Sequence, residues 1–175
     1  PFNDASDADL VIRTANNVDI FVLKALLSLK SPSSFFRHIL EPHTSERHGL
    51  PVLEVKEDSD TFIIILFLCY PYDTPEIKTI EQFTAVGVAL SKYCMDSAFE
   101  RFAKAVITSR LIKEQALRVF CFAAANGWKE LGEAVARNTL AAPLYPEVEL
   151  EDLKHMDALQ HFRLRDYHRR CGKAA

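Results

Sequence analysis

The chain has 175 residues, 49% of them hydrophobic and 26% charged, with a formal net charge of -3. That length and composition suit one globular domain, or one domain with a helical extension, and exclude an intrinsically disordered chain. The mild acidity gives no general electrostatic attraction to nucleic acid or to an anionic membrane.

The stretch Pro1-Phe2-Asn3-Asp4 is not the basic-then-apolar pattern of a secretory leader. Leu10 to Thr14 reads as a strand. Asn16-Asn17 is a turn signal, because Asn tolerates left-handed backbone. Val18 to Val22 alternates and returns as the second strand of a hairpin. Leu23 to Leu29 reads as a short buried helix, and a second short helix carries Phe35, Phe36, Ile39 and Leu40. Glu41 to Gly49 is a polar loop, and Val52 to Val55 is a third strand.

The run Phe62 to Tyr70 is the longest unbroken apolar stretch, far short of the ~20 residues a membrane-spanning helix needs. Its β-branched content favours a buried strand, whereas Asp58-Ser59-Asp60 ahead of it offers helix N-caps. Local pattern leaves both readings open. After residue 97 the pattern is almost purely helical. Ile80, Phe83, Val86, Leu90 and Tyr93 share one helical face, as do Phe99, Phe102, Ala103, Val106 and Ile107. Leu117, Phe120, Cys121 and Ala124 repeat the spacing, and Asn126-Gly127 is a C-terminal stop. Trp128 to Leu140 is a further helix, closed by Pro143 and Pro146. The last helix is expected to begin around Glu149 to Asp152 and to end in Arg169-Arg170, acids and bases matching the helix dipole.

Little in the sequence points to chemistry. It has no Walker-type phosphate loop, GxGxxG, GxSxG, HExxH or EF-hand loop. Cys69, Cys94, Cys121 and Cys171 form no CxxC and read as free thiols, packed as small hydrophobes in a reducing compartment. Cys94 and Cys121 are expected on packing helices rather than in a nucleophile's electropositive site. His155, His161 and His168 are six and seven residues apart and so rotate around their helix, leaving only His168 and Cys171 on one face. Metal ligands on a helix favour closer spacing. His38, His43 and His48 are scattered around a polar loop. Arg163, Arg165, His168, Arg169, Arg170 and Lys173 form a basic stretch read as dipole complementation rather than a phosphate-binding patch.

Several landmarks in order resemble the BTB/POZ family. Ala8 to Ile12 resembles its first core strand, and Val22-Leu23-Lys24-Ala25-Leu26-Leu27-Ser28 the segment that turns from strand into helix. Val52 to Val55 fits the third strand, Asp58 to Tyr70 the helix after it, and Val88 to Met95 a later helix. The wording of Glu57 to Thr61 and of Leu68-Cys69-Tyr70-Pro71 is similar to the large BTB group of mushroom-forming fungi. Leu23 stands where family members usually carry His, and Ser31-Pro32-Ser33-Ser34 precedes Phe35 as extra residues. The resemblance implies an α+β fold, a short three-stranded sheet packed with a cluster of helices, over residues 1–110. An all-helical extension over 111–175 follows. It also implies that Phe62 to Tyr70 is a helix.

The function implied is protein–protein interaction without catalysis. It would be self-association as a homodimer or recruitment of protein partners, for instance as a transcriptional or chromatin scaffold. The alternative is a substrate adaptor binding a cullin ubiquitin ligase scaffold; behind it stand an enzyme with an unrecognised site and a nucleic-acid binder using the C-terminal basic helix. No cofactor, metal, membrane or nucleic-acid partner is expected, and the expected location is cytoplasmic and/or nuclear. The candidate partner surface is Phe35, Phe36, Ile39 and Leu40, because two adjacent phenylalanines on a short helix do not both turn inward easily.

Overall fold

A computed structural model describes Phe2 and residues 6–30, 46–141 and 151–174. The described residues form a mixed α+β fold with a four-stranded sheet and seven α-helices. The strands are β1 (Leu10–Arg13), β2 (Asp19–Val22), β3 (Glu46–Arg47) and β4 (Leu50–Glu54). The helices are α1 (Lys24–Lys30), α2 (Ser59–Cys69), α3 (Ile80–Lys92), α4 (Asp96–Thr108), α5 (Arg110–Ala125), α6 (Lys129–Asn138) and α7 (Ala158–Ala174). Contacts gather the chain into two units, Pro1–Pro75 with Ala85–Phe102, and Glu76–Thr84 with Ala103–Ala175. This grouping is discontinuous in sequence, unlike the single expected cut after residue 110.

In the first unit the sheet runs β2-β1-β4-β3. β1 pairs antiparallel with β2, Leu10 facing Val22 and Arg13 facing Asp19. It pairs parallel with β4, Val11 facing Val52. Leu10, Val11 and Ile12 are all fully buried, as befits a central strand covered on both faces. The turn between β1 and β2 uses Asn17 at φ 59°, and the buried Thr14 hydroxyl accepts from Val18 N at 3.2 Å. Across the ladder, Arg13 Nε donates to Asp19 at 2.8 Å and Arg47 joins the same carboxylate at 2.5 Å. The hydrogen bond from Arg13 outweighs burial and holds the Asp19 carboxyl below its ordinary range.

The sheet has four strands where three were expected. The added strand, β3, forms a tight hairpin with β4 through His48 (φ 53°) and Gly49 (φ 74°). Two consecutive left-handed residues are the geometry of a two-residue hairpin turn that matches strand twist. Within the expected polar loop, His-Gly was a weaker turn signal than Asn-Gly.

Phe62 to Cys69 is helical, within α2. Asp58 caps the helix, accepting from Thr61 N at 2.8 Å. Asn16 adds a second cap, accepting from Ser59 N at 3.0 Å. Phe62, Ile65, Leu66, Leu68 and Cys69 are buried. A helix apolar on all sides is a core helix, and here it overrides the β-branched preference. Tyr70 ends it with an extended ψ of 162°, the conformation that Pro71 imposes on its predecessor.

In the second unit, α5 ends as expected at Asn126-Gly127. Gly127 is left-handed (φ 70°), Trp128 N donates to Ala123 O at 2.9 Å and Gly127 N to Ala124 O at 3.2 Å. This pair of bonds is a Schellman closure. It turns the chain so that Trp128 meets the Phe83 ring edge-on, with centroids 5.6 Å apart. The last helix starts later than expected. Residues 151–155 form a short 3-10 turn, and α7 begins after a reciprocal cap. Gln160 N donates to Asp157 Oδ1 at 2.7 Å, and Asp157 N to Gln160 Oε1 at 2.9 Å. Asp157-x-x-Gln160 is the local signal for that start. Among the described residues, no helix is long and apolar enough to cross a membrane.

Candidate functional site

Phe35, Phe36, Ile39 and Leu40, the expected partner surface, lie outside the described residues, as do His38 and His43. His48 serves the β3–β4 turn and lies against Phe21, ring centroids 6.2 Å apart. The C-terminal histidines point to separate tasks. His155 lies over Phe122 at 5.1 Å, while His168 Nε2 is 2.8 Å from Thr139 Oγ1. Burial lowers the His168 pKa, favouring the neutral ring. Among the described residues, no group of three or more His, Cys, Asp or Glu side chains is placed to hold a metal ion.

The cysteines divide. Cys69 and Cys121 are buried, and burial pushes the Cys121 thiol up to about 11. Cys94 departs from expectation. It is exposed, just past α3, at φ 52°. Met95 N reaches Leu90 O at 3.0 Å and Cys94 N reaches Ser91 O at 3.1 Å, so Cys94 occupies the closing position of a Schellman turn that glycine usually takes. The helical spacing that ran through Tyr93 concealed this, because Cys is rare in left-handed geometry.

Two polar clusters in the first unit are structural. Glu57 accepts from Lys92 Nζ at 2.8 Å and from the Tyr93 hydroxyl, and Lys92 lies 4.6 Å from the Tyr93 ring centroid. Burial opposes the Glu57 charge, but those hydrogen bonds prevail and lower its pKa. Burial and the bond to Glu57 both raise the Tyr93 pKa. The other cluster closes α2. Arg101 Nη1 donates to Leu68 O (2.7 Å) and Tyr70 O (3.0 Å). Its Nη2 donates to Tyr72 O (2.7 Å) and Thr74 Oγ1 (3.0 Å). One cation thereby serves carbonyls that the helix end leaves without partners.

A groove of about 730 Å³ lies within the second unit, lined by α5, α6 and α7. Its floor is made of small side chains: Ala123 and Ala124 from α5, Gly132 and Ala136 from α6. At Gly132 a Cβ would meet that of Ala123 at an ordinary 3.9 Å, so the α5–α6 contact has room for one more carbon there. Phe120, Trp128 and Tyr167 supply aromatic edges. On α6, Lys129, Gly132, Ala136 and Arg137 line it at helical spacing; on α7, Gln160, Leu164, Tyr167 and Arg170 do the same. Gln160 Nε2 donates to Ala124 O at 2.9 Å and pins α7 to the wall of α5. Part of the C-terminal basic stretch thus has a defined place. Arg163 and Arg170 line the groove, while Asp166 pairs with Arg169 at 2.5 Å and Arg170 at 3.0 Å. Sequence reading missed the groove, because the α7 wall comes from a segment about twenty residues beyond α6.

These features define a mixed α+β chain with a helical groove. No family model matches the sequence, and no curated protein matches it significantly.

Proposed function

We propose that this chain is a non-catalytic protein–protein interaction module of BTB/POZ type, acting by self-association or by recruiting a partner. The observation that supports the reading most directly is the order of elements over residues 10–92. The hairpin β1–β2, helix α1, strand β4 and capped apolar helix α2 follow in the order that the resemblance implies, with β3 added before β4, and α3 covers Val88 to Lys92 of the stretch it compares with a later helix. A local preference for strand in Phe62 to Tyr70 would have broken that order. The described functional-type side chains also go mostly into holding the fold, as Glu57, Tyr93 and Arg101 do.

The test is the solution mass of residues 1–175 by light scattering over a range of concentrations, followed by titration with a purified cullin N-terminal domain. A mass that rises to the dimer with concentration supports self-association. A monomer that captures the cullin supports the adaptor use of the same module. A monomer that binds neither itself nor the cullin removes both proposed uses.

A further inference from the structure

We infer that the α5–α6–α7 groove is a docking site for an acidic peptide segment that carries apolar side chains. The inference rests on the interaction-module reading and specifies one partner chemistry for it.

Three observations converge. The first is charge. Lys129, Arg137, Arg163 and Arg170 line the groove against a single lining carboxylate, Glu133, in a chain whose net charge is -3. Lys129 is compensated by Glu133 at 4.0 Å, and Arg170 by Asp166 at 3.0 Å. Arg137 and Arg163 are exposed and form no ion pair with any described residue. Two guanidinium groups on the two helices that line the groove, neither in an ion pair among the described residues, fit carboxylates supplied from outside, since the planar fork binds them in pairs of hydrogen bonds.

The second is shape. A volume of about 730 Å³ falls in the range of ligand clefts, ~300–1,000 Å³. Here the floor is Ala and Gly, which leaves room for an incoming backbone rather than a flat ring alone. The half-buried aromatic rings of Phe120 and Tyr167 offer apolar surface to alternate side chains of the guest. The third is spacing. Arg163 and Arg170 are seven residues apart on α7, hence ~10 Å along the axis, and the α6 cations are separated by a similar length. Carboxylates two or four residues apart share one face of an extended peptide and span ~7 or ~13 Å, which brackets this distance.

The chain's single tryptophan, Trp128, lines the groove and reports on its occupancy. The experiment titrates the full chain with a synthetic peptide of alternating Asp or Glu and Leu or Phe, following Trp128 fluorescence. The expected result is saturable binding that weakens with added salt. The Arg137→Ala/Arg163→Ala double variant should bind about tenfold or more weakly, and Arg110→Glu, outside the groove lining, should bind normally. Both arginines are exposed, so the double variant keeps its fold, and circular dichroism checks this. Equal binding of the Asn/Gln version of the peptide overturns the proposal, as does binding that ignores the two arginines. A single-stranded oligonucleotide that binds more tightly through the same arginines also overturns it, in favour of nucleic acid. A chain that dimerises by light scattering yet leaves the acidic peptide unbound refutes the groove assignment alone and leaves the interaction module standing.

Discussion

Arg101 is the side chain whose removal the structure prices most clearly. Its guanidinium donates four hydrogen bonds around the C-terminus of α2, two of them, to Leu68 O and Tyr70 O, partly buried. Arg101→Met keeps much of the apolar stem and removes every donor. The two partly buried bonds come from a cation, so each contributes about 1.5 kcal/mol net, the lower end for charged hydrogen bonds. The two exposed ones add at most a few tenths each, because water replaces them. Since one group makes all four, the sum is reduced by sharing, and a loss of about 2–3 kcal/mol is expected. For a chain of this length that corresponds to a fall in Tm of about 5–10 °C. Urea unfolding followed by far-UV circular dichroism measures it. Arg101→Lys should recover only part of the loss, because one ammonium cannot fork between α2 carbonyls and the following loop. A cost for Arg101→Met of less than about 0.5 kcal/mol would refute the reasoning, showing that water serves those carbonyls equally well.

Thiol labelling of the native chain should modify Cys94 first, with Cys69 and Cys121 reacting only on unfolding; a fast-reacting Cys121 would contradict its burial and raised pKa. Gly132→Ala should stabilise by about 0.5–1 kcal/mol in urea melts, because α6 gains helix propensity and the new Cβ meets Ala123 at an ordinary 3.9 Å. A destabilised variant would mean that α5 and α6 sit closer than described. Glu57 has a lowered folded pKa, so the stability it contributes is complete above the ordinary carboxylate range and is lost as pH falls through that folded value. Glu57→Gln should therefore lower the urea midpoint near neutral pH and shrink the difference from the parent below about pH 4; a difference that stays constant with pH would sink the assignment.

Much of the helical architecture is legible in the chain itself, because it depends on spacing and caps within a few residues. The Ile80, Phe83, Val86 and Leu90 face, all buried, and the Asn126-Gly127 stop belong to this kind, whereas the face expected from Phe99 to Ile107 is shifted, Ile107 being exposed. So does the β1–β2 hairpin, whose Asn17 takes the left-handed turn. Where two local preferences oppose each other, burial decides. Phe62 to Cys69 is strand-like in composition and helical in the fold, because most of its circumference meets core, only Ile63, Ile64 and Phe67 being half-buried, and Asp58 and Asn16 cap its start. Left-handed residues other than Asn and Gly escaped local reading. His48 creates the β3–β4 hairpin, and Cys94 leaves the core for a turn. The groove belongs to tertiary structure alone. Lys129 and Arg137 face Arg163 and Arg170 across a floor of Ala and Gly only because the Gly127 turn and the Gln160 tie bring three helices together. Sequence determines which residues can form helices and where those helices stop; packing determines which of their charges are left facing a common space.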